Sequence, residues 1–226
     1  MKMKMYPYED MPEYACRNIE NKNRTIKNLT FGLDELVIEE NFFNCSFIGC
    51  TFLTDKIISS MYINCHFQDC IFTTSNKLKT GDKLPFSNTI YASCSFLKCC
   101  FNEHMGCYET MNRCIFEKTT LKDSVLNGYH LVDVHFKNCV IRNLSLQHST
   151  MPLILMKDCN IDEMDLAETK IGCISFAGGS QKNIVWDNAS VLSLEHDDTE
   201  GDFNNIKIKS DSSIPDFTFR SSEKKW

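Results

Sequence analysis

Large apolar residues recur along this chain at intervals of five. Phe42, Phe47, Phe52, Ile57, Tyr62, Phe67 and Phe72 share one register. After a break, Phe86 opens a second register, one residue out of phase, that runs in fives through Tyr91, Phe96, Phe101 and Phe116 to Trp186 and Val191. Of these 29 positions 27 are apolar, and only Gly106 and Gln181 are not. Two residues before each large one lies a second set, mostly small: among them Cys45, Cys50, Ser60, Cys65, Cys70, Thr89, Cys94, Cys99, Cys114, Thr119, Cys139, Ser149 and Cys159. A helix would place apolar residues at i, i+3, i+4 and i+7, and a long strand would alternate by two. A strict five suits neither. A small and a large residue two apart point to one side of an extended segment. The remaining residues must turn the chain so that the next unit also points inward. The pattern predicts an all-β coil wound around a narrow core, with the large residue at the centre and a small one beside it.

Units such as NCSFI, GCTFL, NCHFQ, DCIFT and SCSFL closely resemble the motif of the pentapeptide-repeat family: a small residue, Asp or Asn, Leu or Phe, then two variable residues. The resemblance covers residues 26–191. This chain departs from the motif by favouring Cys over Ala and Phe over Leu. The resemblance implies a right-handed quadrilateral parallel β-helix with four units, about 20 residues, per coil. The columns agree with that period. Phe96, Phe116, Phe136, Met156 and Phe176 would stack as one ladder, Phe101, Leu121, Ile141 and Ile161 as another, and Leu126, Leu146, Leu166 and Trp186 as a third.

Three segments stand outside the lattice. Residues 1–25 read as a flexible N-terminal arm. Residues 73–85 (TTSNKLKTGDKLP) hold no lattice residue and read as a loop inserted at a coil corner. Loops on a rigid scaffold are where binding concentrates, so Lys77, Lys79, Asp82 and Lys83 are candidate interaction residues; the alternative is a tolerated insertion. Residues 192–226, acidic and then sparsely apolar, read as a C-terminal cap and polar tail. Ile26, Leu29, Phe31, Leu36 and Val37 are placed to cover the first coil, whose bare edge would invite aggregation.

One stretch inside the lattice is defective. Gly106 replaces the large residue, and His104 and Glu109 occupy small-residue slots. Burying either without a partner would be expensive. Either this face bulges outward or His104 finds partners. His104, Gly106, Cys107 and Glu109 are therefore a candidate face defect. They are not read as catalytic, since a nucleophile here would have no visible oxyanion donor or pocket.

The 13 cysteines raise the question of metal, but no CxxC occurs, and nine of them fall on the small-residue lattice. They read as small core residues and free thiols. Cys45 with Cys65, Cys50 with Cys70, Cys94 with Cys114 and Cys139 with Cys159 would lie one coil apart, and all are expected reduced. No cofactor, metal or catalytic motif is expected. The chain predicts no Sec-type signal and no apolar run near the roughly 18 residues of a membrane span. Its expected location is the cytoplasm, or a host cell reached without a Sec signal.

These readings lead to a non-enzymatic protein–protein interaction scaffold whose partner is a protein. Modules of this family occur in bacterial effectors delivered into host cells. The alternative is a DNA gyrase or topoisomerase-binding protein of the quinolone-resistance pentapeptide type, which this chain resembles in length, in its Cys-x-Phe units and in its interrupting loop. The net charge of −6, and only 11 acidic against nine basic residues between 91 and 191, argue against both phosphate binding and duplex mimicry.

Overall fold

The computed structural model describes residues 21–33, 37–75, 88–107 and 109–196. They form one parallel β-solenoid of about eight turns with about 20 residues per turn. No α-helix occurs among them, and the single helical element is the 3-10 turn Thr54–Lys56.

Each five-residue unit makes one side of the coil. The large residue sits mid-side and points in, its two neighbours point out, and the corner follows. The corner residue takes a left-handed conformation, as at Asn44, Asn64, Asp69 and Lys98, with φ between 52° and 55°. Thirteen of the 23 non-glycine residues of this kind are Asn or Asp, the side chains that tolerate it at least penalty. At one corner the side chains also pair along the axis: Asn64 Nδ2 donates to Asn44 Oδ1 at 2.9 Å, and Asn44 Nδ2 to Asn23 Oδ1 at 2.6 Å.

Four inward columns result, called here sides A to D. Side A carries Ile26, Phe47, Phe67, Phe96, Phe116, Phe136, Met156 and Phe176, in register from turn to turn. Side B carries Phe31, Phe52, Phe72, Phe101, Leu121, Ile141, Ile161 and Gln181. Side C includes Val37, Ile57, Gly106, Leu126, Leu146, Leu166 and Trp186. Side D runs from Phe42 through Tyr62, Tyr91, Met111, Leu131, Met151 and Ile171 to Val191. The predicted ladders are all present. The rings on side A stack at centroid separations of 4.5–4.9 Å, nearly parallel, from Phe47 to Phe136.

Two details differ from expectation. Among the described residues the ladder runs from Asn21, which pairs with Phe42, to His196, which pairs with Phe176. Ile26, Phe31 and Val37 are thus the column residues of a first full turn rather than a separate cover, while Leu29 is half exposed and Leu36 lies outside the described residues. Second, Tyr62 pairs with Tyr91 and Phe67 with Phe96, so this turn is longer than its neighbours, in which Phe47 pairs with Phe67 and Phe96 with Phe116. The nine extra residues fall between Thr73, which still pairs with Leu53, and Ile90, which pairs with Met61. The candidate interaction residues Lys77, Lys79, Asp82 and Lys83 lie outside the described residues, as do residues 1–20 and 197–226.

Candidate functional site: an internal defect and four outward faces

The small slot beside each large residue does more than make room. In the first turns Cys45, Cys65, Cys94 and Cys114 line one slot column, and Cys50, Cys70 and Cys99 another. The column is continuous across the insertion, so Cys65 neighbours Cys94 and Cys70 neighbours Cys99, which the spacing of twenty alone hides. Each thiol donates to a carbonyl of the preceding turn: Cys94 Sγ to Tyr62 O at 3.3 Å, Cys114 to Tyr91 O at 3.4 Å, Cys70 to Phe47 O at 3.4 Å. Three slot hydroxyls make the same bond, Thr119 Oγ1 to Phe96 O at 3.0 Å, Ser124 Oγ to Phe101 O at 3.3 Å and Ser149 Oγ to Leu126 O at 3.1 Å, whereas Thr169 Oγ1 bonds Leu166 O in its own turn and Thr89 Oγ1 has no partner among the described residues. These carbonyls belong to the buried central residues of the preceding turn, where a hydrogen bond is not weakened by water. The slot therefore selects a small side chain carrying a donor, which explains Cys, Ser and Thr together. All 11 described cysteines are free; nine are buried, and Cys100 and Cys173 are half-buried. Burial and the neighbouring Cys114 and Cys65 thiols push the Cys94 thiol well up from its ordinary value, so that group is inert rather than reactive, whereas hydrogen bonds from the next thiol in the column lower Cys65, Cys70 and Cys139.

The defect is built differently. Gly106 keeps its place in the ladder opposite Leu126, so the backbone does not bulge there. His104 and Glu109 are buried, at 1% and 2% exposure. His104 Nε2 lies 3.1 Å from the hydroxyl of Tyr129, itself buried in the slot of the next turn on side D. Three oversized side chains in small slots thus surround the position where a large residue is missing. Burial lowers the His104 pKa to about 4, so the ring is neutral. Glu109 makes its negative charge felt on Tyr62 and Tyr91, whose hydroxyls are held well above their ordinary range, chiefly by burial. Cys107 belongs to the Met105–Cys107 strand, and its side chain lies outside the described residues. Tyr129 was not singled out from sequence, although an aromatic residue in a slot column that continues with Ser149, Thr169 and Ala189 was a usable signal.

Among the described residues no group of three or more His, Cys, Asp or Glu side chains is arranged to hold a metal ion. No helix among them is long and apolar enough to cross a membrane.

The geometry is that of a pentapeptide-repeat solenoid: five-residue units, four sides, small slots and central stacks. Solved structures similar to it include HetL, a pentapeptide repeat protein involved in heterocyst differentiation regulation from the cyanobacterium Nostoc sp. strain PCC 7120, at 12% identity over 96% of this chain and 100% of that one, with a TM-score of 0.37. Two forms of QnrB1, a plasmid-mediated fluoroquinolone resistance protein, are also similar. The full-length protein is 12% identical over 84% of this chain and 93% of that one, with a TM-score of 0.27. A trypsin-treated form is 13% identical over 84% and 93%, with a TM-score of 0.29. No family model matches the chain, and no curated protein does.

Proposed function

We propose that the protein is a non-enzymatic scaffold that grips a protein partner, and that it works as an effector inside a host cell. The observation that carries this reading is the register. Every turn repeats its outward residues directly above those of the turn before, so a partner meets fixed columns of side chains at the roughly 4.8 Å spacing of paired strands. On side A one such column runs Gln68, Leu97, Glu117, Lys137 and Lys157. The fate of the defect supports the same reading. His104 faces inward and is bonded to Tyr129, and Glu109 is buried, so their polar groups serve the core rather than a substrate.

A second reading, binding to a type II topoisomerase, is favoured by one feature, the nine-residue insertion that interrupts an otherwise regular rod. Photo-crosslinking residues placed at Gln68, Lys122 and Asn127, on three different sides, separate the readings. A scaffold gives crosslinks to the same protein in host-cell extract from one side and not the others. No side-specific crosslink from any position would contradict it. In parallel, inhibition or protection of gyrase supercoiling by the purified chain, lost when residues 76–84 are deleted, would replace the first reading with the second.

A further inference from the structure

We propose that side D is a self-association surface on which a second copy of this chain packs with its rod antiparallel. The proposal is independent of the scaffold reading. Copies of a chain with net charge −6 repel one another. Every other side brings charged groups to its surface: Glu117, Lys137 and Lys157 on side A, Lys122, Arg142, Asp162 and Lys182 on side B, Lys56 and Asp165 on side C. On side D the residues flanking the central column carry one fixed charge between Asn41 and Leu192, that of Lys170. Phe43, Met61, Ile63 and Ile90 are instead half-exposed on this side, above Lys22 at the end of the same column.

The side is also self-complementary. A two-fold axis across the rod at the Thr110–Asn112 rung brings each flanking column onto its own copy, inverted along the axis. Phe43 then faces Gly172, and Ile63 faces Pro152. Ala92 faces Val132, and Asn112 faces itself, where two amides can hydrogen-bond. In this column the large Phe43 and Ile63 meet the smaller Gly172 and Pro152. The notch at Gly172 is fixed, because a Cβ there would stand 2.4 Å from the Pro152 carbonyl oxygen. The same operation sets Lys170 against the exposed Glu39 and Glu40 of the other copy, Glu40 accepting from Asn21 Nδ2 at 3.0 Å through one oxygen, Oε2, while Glu168 is paired with His148 at 3.0 Å. At the flanking corner Arg113 faces its own counterpart, with the other copy's Asp133 one rung away. Seven rungs at ~4.8 Å, about 12 Å wide, offer on the order of 400 Å² per copy, at the small end of specific interfaces. The dimer is therefore expected to be reversible and concentration-dependent.

Sedimentation velocity on the full chain under reductant, over a concentration series, tests this. The wild type should pass from monomer to dimer. Asn112→Lys, which sets two like charges face to face, should raise the dissociation constant at least about tenfold, while Gln68→Lys on side A leaves it unchanged. Lys170→Glu should weaken the dimer, and adding Glu40→Lys should restore it. Circular dichroism confirms that each variant is folded. A wild type that stays monomeric to ~1 mM, a dimer indifferent to Asn112→Lys, or a charge swap without rescue would each overturn the proposal.

Discussion

The two halves of the rod fill the same four-sided cross-section in different ways. From Phe42 to Phe101 the column residues are almost all aromatic, and the slots beside them hold Cys, Ser or Thr except at Glu40 and Asp55. From Val134 onward the columns are mostly Met, Leu and Ile, and the slots on two opposite sides have grown: Val134, Ile154 and Ile174 on side A, Leu144, Met164 and Ile184 on side C. The other two sides keep small slots, with Cys139 and Cys159 on side B and Ser149, Thr169 and Ala189 on side D. Interiors pack to nearly constant density, so volume given up at the centre must return at the slots. The backbone follows. The left-handed corner after side D is present at Asn44, Asn64, Ser93, Arg113 and Asp133 but not at Leu153 or Cys173. There the strand runs through the corner, producing the long strands Thr150–Asp165 and Lys170–Val185. A large slot residue then sits in the ladder itself, as in the pairing of Val134 with Ile154. The Gly106 defect lies at the boundary. His104, Glu109 and Tyr129 are the first oversized slot residues, and they show the same compensation with polar side chains.

The comparison breaks most visibly in the aromatic half. Phe96 is fully buried and stacked at 4.8 Å on Phe67 and 4.5 Å on Phe116. Phe96→Ala should cost about 3–5 kcal/mol, since it removes a large side chain and two stacked pairs. Met156→Ala, in the same column, should cost about 2–3 kcal/mol, because methionine is flexible and makes no stacked ring pair. Equal costs in urea melts would mean that the aromatic stack adds nothing.

The boundary gives a pH-dependent effect of about 3 kcal/mol. His104 has a pKa near 4 folded and about 6.5 unfolded. The unfolded chain therefore binds the extra proton first, and stability is lost as pH falls from about 6.5 through 4 and is constant above 7. His104→Gln keeps a partner for Tyr129 and cannot titrate, so the difference in stability between it and the wild type should shrink or reverse on acidification. A difference that is flat between pH 7 and 4.5 would show that the ring is not buried as a neutral group.

Much of this was legible in the sequence, because a solenoid writes its core into a fixed period. The columns, their large and small members and the site of the insertion all follow from residue spacing. Several things escaped for physical reasons. The first described rung centres on a polar residue, Asn21, which the apolar lattice does not mark. Ile26 and Phe31 sit one position further from their partners, Phe47 and Phe52, than the lattice period allows, which moves them out of phase. The continuity of the thiol columns is masked by the nine-residue insertion. The partner of His104 was hidden because Tyr129 reads as a break in the small-residue pattern, whereas it restores volume that Gly106 removes.

The central claim is that column and slot share one volume, and a double-mutant cycle across the boundary tests it directly. Met156→Phe alone would overfill side A in the aliphatic half, and Ile154→Cys alone would leave a void. Together they install the aromatic-half pair between Phe136 and Phe176 and complete a stack along the whole column. Chemical denaturation of the four proteins should give a favourable coupling of about 1–2 kcal/mol, with the double variant more stable than either single one. Costs that simply add, with no coupling beyond about 0.3–0.5 kcal/mol, would contradict the account.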